Sequence, residues 1–144
     1  MPDNERLTDR DYADLLQFRV ALRRFEQWSE AQAHAAGLTA AQHQLLLAIK
    51  GHRDRHGPTI RELAESLVSR HHSVVGLVDR AAAAGLVERA PDARDGRVVR
   101  VRLTRLGNRR IDRLSAVHLR ELRSLAPVLD RLTAEARRLN PPPD

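Results

Sequence analysis

The stretch TIRELAESLVSRHHSVVGLVDRAAAAGLVERAPDARDGRVVRVRLTRLG, residues 59–107, decides the fold. It opens on Thr59-Ile60-Arg61-Glu62, the spacing of a capping box, in which the Thr hydroxyl caps a helix and the Glu reaches back. Ile60, Leu63, Ala64 and Leu67 recur at helical spacing and predict a short helix through Leu67. A break at Val68-Ser69 precedes a longer helix from about Arg70 to Ala84, with Ser69 as its expected cap and Gly85 as its stop. Two short strands follow, over 86–89 and 98–103. In the second, Val99, Val101 and Leu103 alternate with Val98, Arg100 and Arg102, the period of a half-buried strand. Residues 91–97 between them are a turn-rich hairpin tip carrying Arg94 and Arg97.

Upstream, residues 11–36 read as a helix, with Leu15, Phe18, Leu22 and Phe25 on one stripe and Gly37 as the stop. Thr39-Ala40-Ala41-Gln42 is a second capping box. It opens a helix carrying Leu45, Leu46, Ala48 and Ile49, which ends in the polar loop 51–58. Downstream, Thr104 caps a long helical region in which Ile111, Leu114, Val117, Leu122 and Leu125 form a mostly apolar face. Pro127 is expected to divide that region into two helices, and the tail 140–144 to be extended and loose.

Short helix, tight break, second helix, then a basic-tipped hairpin is the order of a winged helix-turn-helix. The fold class is therefore mainly α with a small β-hairpin wing, flanked by N- and C-terminal helices. In such a motif Val74, Leu77, Val78 and Ala81 pack inward. That leaves Arg70, His71, His72 and Ser73, with Val75, on the side where a recognition helix meets base edges. Ser69 and the first free N–H groups of the helix offer a phosphate site. Arg94 and Arg97 on the hairpin suit an adjacent minor groove, whose negative potential attracts arginine.

Composition narrows the function classes. The 144 residues suit one domain, and 25 Lys+Arg against 19 Asp+Glu give a net charge of +6. Lys50 is the only lysine, so the positive charge is nearly all arginine, the better fork for phosphate oxygens and guanine edges. Cysteine is absent, which excludes disulfides, thiolate metal sites, cysteine nucleophiles and thiol-based sensing. No apolar run is long enough for a membrane span, and residues 1–6 lack the core of a signal peptide, so a cytoplasmic protein is expected. No Gly-rich phosphate loop, H-E-x-x-H or G-x-S-x-G elbow is present, and no enzyme is expected. Asp92 and Asp95 sit among arginines and read as neutralised wing carboxylates, not an acid–base pair.

Several pieces jointly resemble the MarR family. Leu77-Val78-Asp79-Arg80, Gly85-Leu86-Val87-Glu88-Arg89, the D-x-R-D-x-R run from Asp92 to Arg97, and Val101-Arg102-Leu103-Thr104-Arg105-Leu106-Gly107 match its core pattern in order and spacing. Leu38-Thr39-Ala40-Ala41-Gln42 resembles the start of the family's second helix. The resemblance covers about residues 11–139. It implies a single MarR-like domain over 1–144, with dimerisation helices at 11–36 and 105–139 and a winged helix-turn-helix core at 39–103. It further implies a homodimer on a pseudo-palindromic operator of double-stranded DNA, usually a repressor, released when a small effector enters a cleft between base and winged domain. By position Ser69, Arg70, His71, His72 and Ser73 fall on the DNA-reading stretch and Arg94 and Arg97 on the wing. Asp79 and Arg80 fall on a pair that braces the winged domain. Two departures stand out: Ala81 replaces a usual Leu, and Gly76 lies inside the recognition helix, through close DNA approach or tolerated flexibility.

The aromatic residues Tyr12, Phe18, Phe25 and Trp28 all lie on the first helix, as dimer core or as the wall of a ligand pocket. On the second reading Phe18, Phe25 and Trp28, with His43, are the pocket candidates. The seven histidines do not make a metal site at sequence level: His71 and His72 point about 100° apart on a helix. His34 and His43 have no ligand partner at i+3 or i+4, and His118 has Glu121 alone, too few for a site. No cofactor is expected. Arg109, Arg110, Arg113, Arg120 and Arg123 read as a solvated face pairing with acids such as Asp112 and Glu121. The expected function is a ligand-responsive transcriptional repressor; the alternatives are an architectural DNA binder without a ligand and a winged helix used for protein contacts.

Overall fold

The computed structural model describes residues 7–139, so the tail at 140–144 and residues 1–6 lie outside the described residues. The element order is α1 (Asp9–Ala35), α2 (Ala40–Lys50), α3 (Ile60–Ser66), α4 (His71–Ala83), β1 (Val87–Pro91), β2 (Val99–Leu103) and α5 (Arg105–Leu139). This is the expected winged-helix class. Helix α1 starts two residues earlier than its apolar stripe suggested, because Thr8 and Asp11 cap it together. The Thr8 N–H and hydroxyl each donate to Asp11 Oδ2 at 2.7 Å, and the Asp11 N–H donates to the Thr8 hydroxyl at 3.3 Å.

The chain divides into two compact units, to which α1 and α5 both contribute. The first comprises residues up to Ser29 together with those from Val117 onward; the second is Glu30–Ala116. In the first, Phe18, Ala21, Leu22 and Phe25 of α1 and Leu122, Leu125, Val128 and Leu129 of α5 line one apolar crevice of about 140 Å³. That packing explains why Pro127 does not divide the final helix: α5 runs unbroken through it. Proline withholds one N–H from the ladder. Apolar contacts before and after it hold both halves to the same partner helix, and the ring itself is exposed.

The second unit carries the core: Leu38, Leu45, Leu46, Ile49, Leu63, Val74, Val78, Ala81, Leu86, Val101, Ile111 and Leu114 are buried together. Helix α2 has the full capping box, Thr39 accepting from the Gln42 N–H and Gln42 accepting from the Thr39 N–H, each at 3.1 Å. At α3 only half the box forms. Thr59 accepts from the Glu62 N–H at 3.2 Å, but the Glu62 carboxylate takes the Thr59 hydroxyl and the His52 ring. The hairpin is antiparallel, with Val87 opposite Leu103 and Pro91 opposite Val99, and Thr59 makes one further bridge to Arg100. In β2 the alternation holds at Val101, which is buried, but Val99 is exposed and Arg100 is not. The extra Thr59 bridge and the groups beside it hold Arg100 against the unit, which strand periodicity cannot foresee.

Candidate nucleic-acid interface

The start of α4 is built by what closes α3. The Val68 N–H bonds the Glu65 carbonyl at 3.2 Å and the Ser69 N–H bonds the Ala64 carbonyl at 3.0 Å, the double closure of a Schellman turn. Ser69 belongs to that closure, one residue before the cap position, and does not cap α4. The cap residue is Arg70, in extended conformation with no side-chain cap hydrogen bond. The N–H groups at the start of α4 thus have no hydroxyl or carboxylate cap from that residue, the condition for anion binding at a helix N-terminus. Ser69, Arg70, His71, His72 and Ser73 are all exposed, and Val74, Val78 and Ala81 turn into the core.

One contact fixes this helix against the hairpin, and a second lies beside Gly76 within the helix itself. Asp79 accepts from Arg89 of β1 at 2.5 Å, so the Asp79 half of the expected brace ties α4 to the wing. Arg80 instead folds back over its own helix: a Cβ at Gly76 would stand 3.2 Å from the Arg80 guanidinium and meet nothing else closely. Ala81, despite its small size, is fully buried.

The wing is ordered by one carboxylate. Asp92 Oδ1 accepts the N–H of Arg94 at 2.8 Å and of Asp95 at 3.1 Å, and Oδ2 accepts from Arg100 Nε at 2.5 Å. The Arg100 hydrogen bond, followed by the two N–H donors, holds the Asp92 carboxyl down at about 2. Arg100 also donates to the Gly57 carbonyl at 2.8 Å and stands 3.4 Å from Asp54, so the α2–α3 loop and the wing share one guanidinium. Asp54 in turn accepts the His56 N–H, which lowers its carboxyl. Burial pushes Glu62 up, but hydrogen bonds from His52 and Thr59 outweigh it and leave the carboxyl below its usual range. At the tip, Asp95 accepts the Arg97 N–H at 3.1 Å and only grazes its Nε at 3.4 Å. Arg94 is exposed, and the Arg97 side chain is 94% exposed. Asp92 and Asp95 are thus neutralised wing carboxylates.

Exposed cations at the start of α4 and at the wing tip therefore share one unit, on backbone held by Asp79–Arg89 and Asp92–Arg100. Residues 36–98 match the model of the MarR family. The chain has a winged-helix fold, and this stretch of it is similar to the MarR family. No curated protein sequence matches it. A MarR family protein from Bacillus stearothermophilus is 24% identical, with a TM-score of 0.72 over 92% of this chain and 97% of that one. AbsC, a MarR family transcriptional regulator from Streptomyces coelicolor, is 20% identical, with a TM-score of 0.72 over 96% and 95%. MepR from S. aureus, solved in complex with DNA, is 17% identical, with a TM-score of 0.69 over 85% and 91%. At these identities the likeness is one of fold.

The ligand-pocket candidates do not form one group within this winged-helix fold. Phe18 and Phe25 line the apolar crevice of the first unit. Phe25 and Trp28 surround His118, with ring centroids at 6.0 and 4.8 Å, and the His118 Nε2 meets the buried Ser29 hydroxyl at 2.7 Å. His43 is buried in the second unit, where His34 is exposed. Among the described residues no three His, Cys, Asp or Glu side chains are grouped to hold a metal ion, and no helix is long and apolar enough to cross a membrane. Asp112 pairs with Lys50 at 3.2 Å, not with the neighbouring arginines, and Arg110 donates to the Gly37 carbonyl at 3.4 Å. Sequence reasoning missed Arg100, Asp54 and Lys50. Arg100 reaches Gly57 and Asp54, and Lys50 reaches Asp112, far along the chain, and the only local hint was an arginine in a strand position rich in valine.

Proposed function

We propose that this chain is a MarR-family, sequence-specific, DNA-binding transcriptional regulator, a homodimer on a pseudo-palindromic operator that acts as a ligand-responsive repressor. The observation that carries the reading is the unbroken exposed run 68–73 at the uncapped start of α4, on the same unit as exposed Arg94 and Arg97. In this reading Ser69, Arg70, His71, His72 and Ser73 meet the major groove, and the wing arginines meet the backbone or minor groove. The DNA complex solved for MepR supports DNA as the partner of this fold.

Dimerisation takes its support from the surface of α1 and α5. Leu15, Leu16, Leu22, Leu119, Leu122 and Leu129 are exposed on a single chain, the kind of surface a second copy covers. The effector reading takes its support from space. A cleft of about 380 Å³ in the second unit, lined in part by Lys50, His52, Arg55 and Arg102, falls within the usual size of small-molecule sites. The crevice beside Phe18 and Phe25, at about 140 Å³, is below it, which favours helix packing for those rings.

The test is selection of bound sequences from a random DNA pool at near-physiological salt, with the oligomeric state read by light scattering. Enrichment of one inverted repeat with half-sites about one helical turn apart is the expected result. Binding without enrichment replaces this reading with an architectural one. Absence of salt-sensitive binding replaces it with a protein-contact module. Effector control is tested by titrating candidate ligands against operator affinity, and no change with any of them removes that part.

A further inference from the structure

Three helices of the second unit end in the same way, and one of them breaks the rule for doing so. After α1 the Gly37 N–H bonds the His34 carbonyl and the Leu38 N–H bonds the Ala33 carbonyl. After α4 the Gly85 N–H bonds the Ala82 carbonyl and the Leu86 N–H bonds the Ala81 carbonyl. Both closures put glycine in the left-handed conformation, at φ of 76° and 72°, and bury the following leucine. The closure of α3 uses the same two bonds but places Val68 there, at φ of 48°, the one non-glycine residue with positive φ among those described. The turn of a helix-turn-helix often carries glycine, and a β-branched residue is the costliest choice for this backbone. Val68 gains nothing from packing in return: it is 93% exposed, more than any other large apolar residue described.

A side chain that strains its backbone and lies almost wholly in solvent is accounted for by something outside its own chain. Val68 stands directly before Ser69 and Arg70, at the head of the exposed run, and its isopropyl group is the only apolar side chain in that run. Resting on the DNA-binding reading above, we propose that Val68 is a specificity residue that contacts the 5-methyl group of a thymine at one position of each half-site. Ser69 to Ser73 offer hydroxyl, guanidinium and imidazole groups for polar edges; the thymine methyl calls for an apolar one.

The test uses the full chain, the operator recovered by selection, and duplexes in which each thymine in turn is replaced by deoxyuridine, which removes only the methyl. The wild type should lose about fourfold in affinity at each of two symmetry-related positions, one per half-site, the equivalent of one buried methyl at about 0.8 kcal/mol. Val68→Gly, which accepts the backbone without strain, should bind both duplexes equally while its thermal midpoint rises. Val68→Asn, which also tolerates the left-handed conformation without the mobility of glycine, should lose the same discrimination. A wild type that binds its operator with no uracil effect, or variants that keep the wild-type effect, overturns the proposal and leaves the regulator reading intact. A wild type that selects no operator overturns both.

Discussion

Two glycines lie inside helices, Gly76 in α4 and Gly107 in α5, and replacing each by alanine should move stability in opposite directions. Propensity alone predicts a gain of about 1 kcal/mol at both, since alanine costs less backbone entropy in a helix. At Gly76 nothing opposes this gain: the added methyl meets only the exposed Arg80 guanidinium at 3.2 Å, which can swing aside. At Gly107 the methyl would stand 2.1 Å from the backbone oxygen of buried Leu86. Carbon–oxygen contacts settle near about 3.3 Å, so α5 and the Leu86 backbone just before β1 would have to part by roughly 1 Å. That motion strains packing worth about 1–3 kcal/mol and loosens the Thr104 N–H bond to the same Leu86 oxygen, worth about 1 kcal/mol. After the propensity gain is subtracted, Gly107→Ala should lose about 2 kcal/mol, while Gly76→Ala gains up to about 1 kcal/mol. At roughly 2–4 °C per kcal/mol, the melting midpoints should separate by about 6–12 °C. The assay is thermal unfolding followed by circular dichroism at one fixed protein concentration, because oligomer stability depends on it. If Gly107→Ala is as stable as the wild type, or both variants shift the same way, the close approach of α5 to Leu86 is wrong.

Further outcomes follow from the wing, the DNA surface and the leucines of the first unit. The Asp92 carboxyl sits at about 2 against an ordinary 3.8, so the order it lends the wing is complete above pH 3.8 and is lost as pH falls through about 2. In an NMR titration the Arg94 and Asp95 amides should follow that midpoint, and Arg100→Gln should move it upward toward 3.8; an unmoved midpoint would remove Arg100 as the cause. If each protomer neutralises about four phosphates, the logarithmic salt slope of operator binding should be about −7 for a dimer. Arg97→Ala should weaken binding to operator and random DNA alike and flatten that slope, whereas His72→Ala should change which bases are selected; equal losses on both DNAs for both variants would refute the division of roles. Leu122→Glu should convert a dimer to monomers in light scattering while leaving the far-ultraviolet spectrum of the winged unit in place, and a persistent dimer would move the interface elsewhere.

The sequence alone determined the elements whose causes are local. The capping box Thr39–Gln42 needs only residues three apart, and it formed as read. Gly37 and Gly85 end their helices because glycine accepts the left-handed closure wherever it occurs. The inward face Val74, Val78 and Ala81 follows from helical periodicity, and the exposed run 69–73 is its complement, so the candidate interface was legible before any coordinates. Where the reading failed, the deciding partner lay outside the element being read. Pro127 stays within a helix because α1 packs along α5 on either side of it. Ser69 loses its cap role because the closure of α3 extends through it and α4 begins one residue later, with Arg70 at the cap position. Glu62 leaves the capping box for His52, a residue of the preceding loop. Arg100, read as an outward strand position, is 18% exposed because Asp92, Asp54 and Gly57 converge on its guanidinium. Hydrogen-bond donors and carboxylates choose partners by distance in space, and only the folded chain brings residues 43 positions apart, such as Gly57 and Arg100, to 2.8 Å. Periodicity and capping, set within a turn or two of chain, wrote the winged helix into the sequence; the bracing of its wing and the strain at Val68 belong to the tertiary structure.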